Sequence, residues 1–284
     1  MITAGPIALA LASAGVHAGW NLAFGRLSRN QEAGVAATAV CCGVLVWTPV
    51  AVASWSFTAA ALPWAAASAA AELGYVIMLG RLYRHQPVER GYPVARGLAP
   101  AGVLAVSAAL GAAVTGAQAL GVVAVCAGVL LTARVPAATD LHRSSRLPAL
   151  AAPVSCCIAT YTLLDAAGVR RAGPAAYLWV TMAPVAAVLL AGNLRSRGLA
   201  AGLGAFRSGT AWLTGAGIFL AYGLTLLALA RATPAQVPVV AAVRETSVVL
   251  LPLLAWGVAR TRLPARVVTG SWVILAGLLL IRGA

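Results

Sequence analysis

Runs of about twenty mostly apolar residues, separated by short polar segments, follow one another along almost the whole of this 284-residue chain. A helix of about 20 residues is about 30 Å long, which matches the hydrocarbon thickness of a bilayer. Hydrophobic residues make up 61% of the chain and charged residues 9%, so the apolar surface exceeds what a water-soluble fold can bury. The sequence therefore predicts an all-α membrane protein.

Ten transmembrane helices can be drawn, and several of them begin near a proline, which suits a first helical turn because its missing N–H needs no partner there. The predicted spans are residues 5–24, 33–54, 62–82, 87–110, 115–133, 147–168, 174–193, 210–230, 235–258 and 264–281. The first span is expected to be retained and not cleaved as a signal, because no basic residue precedes it.

The longest polar stretch, residues 133–147, divides the predicted spans into two sets of five. We expect a first repeat over residues 1–135, an arginine-rich linker over 136–146 and a second repeat over 147–284. Residues that recur in order about 147 to 149 positions apart include Tyr75 and Tyr222, Arg84 and Arg231, Arg96 and Arg244, Gly121 and Gly270, and Gly128 and Gly277. An odd number of spans in each repeat orients the two copies oppositely, which predicts a 5+5 inverted repeat.

The net charge of +14 comes from arginine alone, since the chain contains no lysine. The arginines lie mainly between the apolar runs, where they anchor to lipid headgroups and set topology, so no nucleic-acid partner is expected. One side of the predicted spans holds Arg26, Arg29, Arg81, Arg84, Arg134, Arg143, Arg146, Arg195, Arg197, Arg207, Arg260, Arg262 and Arg266, and the other holds Arg170, Arg171, Arg231 and Arg282. The larger group predicts a cytoplasmic side and places both termini outside.

The sequence predicts no cofactor and no metal site. The five cysteines lie inside apolar runs, at positions 41, 42, 126, 156 and 157, without the spacing that a zinc or redox site uses. A glycine-rich ATP-binding motif with its lysine is also absent from the sequence. Packing is the expected role of the cysteines.

Three short strings lie in the first, fourth and ninth predicted helices: HAGWN at 17–21, YPVARG at 92–97 and RETSVV at 244–249. With ten spans and a duplication at five, the chain resembles the EamA-like transporters of the drug/metabolite transporter superfamily. The resemblance implies a substrate cavity lined by the first, third and fourth helices of one half and the sixth, eighth and ninth helices of the other. It also implies export or uptake of small metabolites, and termini in the cytoplasm, so both orientations stay open.

Ionisable residues inside the spans are the candidate site residues, because a charge at the bilayer centre costs about 2.5–3.5 kcal/mol. The chain has 6 acidic residues, and those within or at the edge of spans are Glu72, Glu89, Asp165 and Glu245. Glu72 shares a helical face with Tyr75, which matches Tyr222 in the second repeat, and it is the first candidate for a carboxylate that senses a proton or cation. The alternative is a structural hydrogen bond to a neighbouring helix.

Arg96 and Arg244 hold matching places in the two repeats and could bind a carboxylate or phosphate with two parallel hydrogen bonds. Glu245 adjoins Arg244, and Tyr92 lies on the same predicted helix as Arg96, beside a proline that can free backbone carbonyls. Buried ion pairs between helices are the alternative explanation for these charges.

A titratable ring, an aromatic ring and an amide form one stripe on the first predicted helix, at His17, Trp20 and Asn21. A histidine there could couple protonation to substrate binding, or it could simply be a packing element. Tyr161 and Asp165 lie on the sixth predicted helix, the counterpart of the first, and are candidates on the same grounds.

These features favour a secondary transporter that carries a small metabolite, anionic or zwitterionic, across the cell membrane by alternating access, with proton coupling or exchange. We expect no enzymatic activity and a monomer or homodimer in the lipid bilayer. An intramembrane enzyme and a non-transporting scaffold subunit are the alternatives.

Overall fold

The structure is a computed structural model that describes residues 4–24, 29–85, 88–133, 147–250, 253, 256 and 264–282. About 90% of it is helical, and the described residues contain no β-strand. The predicted all-α fold is confirmed to this extent. The whole predicted linker, residues 136–146, lies outside the described residues.

The helices follow the predicted segments closely. Their bounds are α1 Ala4–Phe24, α2 Arg29–Ala53, α3 Leu62–His85, α4 Val88–Ala109, α5 Gly116–Thr132, α6 Leu147–Gly168, α7 Pro174–Arg197, α8 Leu199–Gly204, α9 Gly209–Arg231, α10 Val237–Arg244 and α11 Ala265–Arg282. The short helix α8 was not predicted, because the sequence analysis assigned its residues to a loop.

Five of the described helical segments are long and apolar enough to cross a membrane. They are Ala59–Leu82, Leu147–Gly168, Pro174–Arg197, Gly209–Arg231 and Ala265–Arg282. Shorter apolar helices occur at Ala37–Ala53, Pro93–Ala109 and Gly116–Thr132. Many of the large apolar side chains on the surface are exposed by more than 40%, including Leu45, Val52, Leu120, Leu213 and Trp272, as expected of a lipid-facing exterior. The chain is therefore a helical membrane protein.

The segment predicted as one helix over 235–258 is interrupted after Arg244. The N–H of Thr246 donates to the carbonyl of Val243 at 3.1 Å, and the Thr246 hydroxyl donates to the same carbonyl at 2.8 Å. A threonine hydroxyl that competes for a backbone acceptor in this way favours the tighter 3₁₀ turn over the α-helix. The chain is helical again over 247–250, so the break lies beside Glu245.

Helices α5 and α11 pack against each other through four glycines, Gly121, Gly128, Gly270 and Gly277, which we name the glycine seam. A Cβ atom on Gly128 would lie 2.8 Å from the Gly270 carbonyl oxygen, and one on Gly277 would lie 2.7 Å from the Gly121 carbonyl oxygen. Only glycine allows two helix backbones to approach so closely.

The other helices enclose the centre of the molecule. Helix α1 packs on α9, α3 and α4 pack on α6, and α10 lies against α1 and α4. Buried hydroxyls join some of these pairs: Ser13 donates to the Ala221 carbonyl at 2.7 Å, and Ser155 donates to the Ala95 carbonyl at 2.6 Å. Six helices from both halves of the sequence therefore surround one interior.

Residues 56–58, which connect α2 to α3, pair with residues 171–173, which connect α6 to α7; we name this contact the loop clasp. The Gly173 N–H donates to the Ser56 carbonyl at 2.6 Å, and Phe57 faces Ala172 in an antiparallel bridge. The Thr58 hydroxyl donates to the Arg171 carbonyl at 2.7 Å. The clasp ties the two halves together at one end of the bundle.

Candidate functional site

An ion pair between α4 and the break after α10 lies in the interior. The Arg96 Nε donates to Glu245 Oε2 at 2.6 Å and the Nη2 donates to Oε1 at 2.9 Å. The two side chains are only 4% and 2% exposed. Two parallel hydrogen bonds to a carboxylate are the strongest arrangement that a guanidinium makes.

His17 on α1 joins this pair from the other side. Its Nε2 lies 2.9 Å from Arg96 Nη1, and because arginine can only donate, the histidine nitrogen accepts. The Trp20 ring meets the His17 ring edge-on, with 4.9 Å between the ring centroids. Arg96 therefore holds a helix of the first half and a carboxylate of the second half together.

Arg244, at the end of α10, makes weaker contacts. Its Nη2 donates to the Tyr161 hydroxyl at 2.8 Å, and its guanidinium lies 5.7 Å from the centroid of the Tyr161 ring. Its Nε is 4.0 Å from Glu245 Oε1, and its side chain is 12% exposed. The two matching arginines thus both lie near the Glu245 carboxylate, but Arg96 makes two short hydrogen bonds to it and Arg244 makes only a distant contact.

A second group of polar side chains lies between α3, α6 and α9, and we name it the acid group: Ser68, Glu72, Asp165 and Tyr222. The Ser68 hydroxyl donates to Asp165 Oδ1 and the Tyr222 hydroxyl donates to Oδ2, both at 2.6 Å. Glu72 is 7% exposed and lies next to the Tyr222 hydroxyl. Two carboxyls on different helices thus share one hydroxyl neighbour.

Tyrosine rings connect the acid group to the arginines. The Tyr161 ring lies 6.1 Å from the Tyr75 ring and 6.3 Å from the Tyr222 ring, measured between centroids. Tyr161 also accepts the hydrogen bond from Arg244. We name the combined set the central cluster; its members are His17, Trp20, Ser68, Glu72, Tyr75, Arg96, Tyr161, Asp165, Tyr222, Arg244 and Glu245.

The central cluster contains most of the residues singled out in the sequence. Asn21 is different, because its side-chain amide donates to the His17 carbonyl at 2.7 Å within its own helix. Tyr92 and Glu89 lie on α4, but their side chains are outside the described residues. Ser68 was missed, although it precedes Glu72 by one helical turn and so shares its face.

A narrow cleft between α4, α6 and α10 leads to Arg244. Its lining residues are Ala99, Pro100, Val103, Ile158, Thr162, Ala241, Arg244 and Glu245. The walls are mostly small and apolar, and the charges lie together at consecutive positions of the chain. The cleft is closed in this structure and leaves no room for a water-sized molecule. A small molecule with one charged end and an apolar body would suit its lining only after these helices move apart.

No family model and no curated protein matches this chain. Thirteen chains of solved structures do match. One of them, described only as the crystal structure of a protein, superposes with a TM-score of 0.76 at 15% sequence identity, over 98% of this chain and 97% of that one. At this identity the likeness concerns the fold over the whole length of both chains.

Proposed function

We propose that this protein is a secondary transporter that carries a small metabolite across the cell membrane by alternating access, and that it is an EamA-like member of the drug/metabolite transporter superfamily. The observation that carries the proposal is the central cluster. Two arginines and three carboxyls, from Glu72, Asp165 and Glu245, are buried among helices of an otherwise apolar membrane protein. Buried ionisable groups in membrane helices are costly and mark substrate or ion pathways.

We further propose ten membrane spans arranged as two inverted five-helix repeats, residues 1–135 and 147–284. The glycine seam supports this arrangement. Gly121 corresponds in sequence to Gly270, and Gly128 to Gly277, yet Gly121 contacts Gly277 and Gly128 contacts Gly270. Such an exchange of partners is expected of a two-fold axis that relates the two repeats.

The arginines support the same symmetry. Arg96 contacts His17 on α1, and the matching Arg244 contacts Tyr161 on α6, which is the counterpart of α1 in an inverted repeat. A substrate site at the interface of two such repeats is the arrangement that alternating access requires, because each repeat can close one side of the site.

The acid group supports coupling to protons. With every group ionised, the two arginines and the three carboxyls sum to one negative charge, so a single proton on Glu72 or Asp165 makes the cluster neutral. Exchange of that proton for substrate charge is the simplest way to keep the interior neutral during transport. Glu72 and Asp165 are therefore the proposed coupling residues.

The test is transport by purified protein in liposomes. A panel of radiolabelled small metabolites is offered with an imposed pH gradient, and we expect at least one to move in a gradient-dependent way. Glu72→Gln and Arg96→Ala should abolish that flux, whereas Cys156→Ala, at an exposed position, should retain it.

Two results would count against the proposal. Absence of gradient-dependent flux for the whole panel would contradict the transporter and favour an intramembrane enzyme or a scaffold subunit. Unchanged flux in Glu72→Gln and Arg96→Ala would contradict the proposed site while leaving transport standing.

A further inference from the structure

We infer that the two arginines of the central cluster have different tasks: Arg244 binds the anionic group of the substrate, and Arg96 is a positioning residue that keeps Glu245 away from Arg244. The substrate class that this division favours is a compact monocarboxylate with an apolar body. The inference rests on the proposed function and specifies its site.

Arg96 is engaged on all three of its nitrogens. Nε and Nη2 donate to the two oxygens of Glu245, and Nη1 donates to His17. A substrate carboxylate could reach this guanidinium only by displacing Glu245, which would leave a buried carboxylate without its cation. Such a loss is strongly unfavourable, so Arg96 is a poor first contact for the substrate.

The Arg244 guanidinium is less fully engaged than that of Arg96 and can still bind an anionic ligand. Its described hydrogen bond goes to the hydroxyl of Tyr161, which carries no formal charge, and its distance to Glu245 is 4.0 Å. Both oxygens of Glu245 already accept from Arg96. The guanidinium of Arg244 therefore lines the cleft with a positive charge that its nearest carboxylate neutralises only from a distance.

The walls of the cleft define the rest of the ligand. Ala99, Pro100 and Val103 on α4 and Ile158 on α6 offer short apolar side chains. The Thr162 hydroxyl already donates to the Ile158 carbonyl at 2.7 Å. Once the helices that line this closed cleft move apart, one guanidinium with apolar walls suits a monoanion with a short hydrocarbon body. A phosphate dianion would need more donors than the described cleft supplies.

Glu245 is at the same time a competitor inside the protein. It lies beside Arg244 in the chain, and within the described part of the chain its two hydrogen bonds to Arg96 direct it elsewhere. When Arg96 is removed, we expect the Glu245 carboxylate to turn to Arg244 and occupy the place of the substrate carboxylate. Loss of Arg96 should then block binding indirectly, and loss of Glu245 should reverse the block.

The test is equilibrium binding to the purified full-length protein in lipid nanodiscs. The probes are isovalerate, the uncharged isovaleramide of the same shape, and inorganic phosphate. We expect isovalerate to bind about tenfold or more tightly than the amide or phosphate, because only it combines one negative charge with an apolar body. If isovalerate fails to bind, or binds no better than the amide, the inference is overturned.

Four variants separate the two arginines. Arg244→Gln and Arg96→Gln should each weaken isovalerate binding about tenfold or more, as expected for a lost charge-assisted contact. Adding Glu245→Gln should restore binding to Arg96→Gln but not to Arg244→Gln. Equal rescue of both, or of neither, would overturn the division of tasks.

A fifth variant keeps the test decisive if Arg96→Gln does not fold. Glu245→Gln alone removes the internal competitor and should bind isovalerate more tightly than the wild type; weaker binding would contradict the inference.

Failure of the transporter proposal would give a different result from failure of this inference. Binding that follows this pattern without gradient-driven flux would uphold the site and contradict transport, whereas flux of another solute without isovalerate binding would contradict the site alone.

Discussion

The glycine seam and the central cluster both join the two halves of the sequence, but they differ in how closely they follow the proposed internal repeat. In the seam, the contacts are exchanged between the halves, because Gly121 meets Gly277 and Gly128 meets Gly270. In the central cluster, Arg96 contacts a histidine, His17, whereas the matching Arg244 contacts a tyrosine, Tyr161. Close backbone contact requires a small residue on both sides, so helix packing favours keeping the proposed symmetry. Under the proposed function, a single asymmetric substrate makes different demands on each half, which would account for the departure of the site from that symmetry.

The same comparison separates stability from function. The glycine seam is a helix contact without ionisable groups. Substitutions of its glycines should therefore lower the stability of the protein and leave substrate selectivity unchanged. The central cluster contains buried charges that contribute little net stability as a set. Replacing both Arg96 and Glu245 should therefore lower the free energy of unfolding far less than replacing only one of them.

The largest expected effect follows from breaking that pair. Arg96→Leu should lower the free energy of unfolding by about 3–5 kcal/mol, because it leaves Glu245 buried without its cation. The double variant Arg96→Leu with Glu245→Leu should recover most of the loss. Chemical denaturation in mixed micelles measures both. A double variant as unstable as Arg96→Leu would show that the pair itself holds the fold together.

The next effect concerns the glycine seam. Gly128→Val should cost about 1–3 kcal/mol, because its side chain would overlap the α11 backbone. Gly277→Val should cost a similar amount, since Gly277 corresponds to Gly128 in the proposed repeat and a Cβ atom there would lie 2.7 Å from the Gly121 carbonyl oxygen. Gly80→Ala, where a Cβ meets nothing within 4 Å, is the matched control and should not destabilise. A large difference between the two valine variants would contradict the two-fold relation.

A smaller effect is expected in the acid group. Tyr222→Phe removes the hydrogen bond to Asp165 Oδ2 and should cost about 1.5 kcal/mol, the lower end of the range for a hydrogen bond to a charged group. Ser13→Ala removes the hydrogen bonds of this hydroxyl with the Ala221 carbonyl and the Thr225 hydroxyl, all uncharged groups, and should cost about 1 kcal/mol. Thermal unfolding of the two variants under identical conditions ranks them. The reverse order would indicate that the Tyr222 hydroxyl is not held by a carboxylate.

The sequence predicted the helices well because each signal is local. An apolar run of fixed length and a proline at its start determine a span, as at Pro174 for α7. The break after Arg244 could not be predicted in this way. At the break, Thr246 bonds to a carbonyl of its own helix, and Glu245 binds Arg96, which lies on another helix and far away in the sequence.

The sequence identified residues of the site but could not show which of them bind each other. Charges inside apolar runs identify Arg96, Arg244 and Glu245 by themselves. Which arginine holds Glu245 depends on how α4 and α10 are rotated, and Arg96 and Glu245 are 149 positions apart in the chain. The neighbour in sequence, Arg244, proved to be the more distant partner.

The central claim is that transport requires each end of the bundle to open in turn, and the loop clasp allows a direct test. Phe57 and Ala172 face each other in an antiparallel pair, in which opposite Cβ atoms lie about 4.5–5.5 Å apart, near the range that a disulfide can bridge. Phe57→Cys with Ala172→Cys should therefore lock this end shut on oxidation.

The measurement is pH-gradient-driven uptake by the double-cysteine protein in liposomes, with isovalerate or the panel solute of highest flux, before and after oxidation. Each single-cysteine variant serves as a control for the native cysteines. We predict that oxidation stops uptake in the double variant alone and that a reductant restores it. Uptake at an unchanged rate through fully cross-linked protein would contradict alternating access.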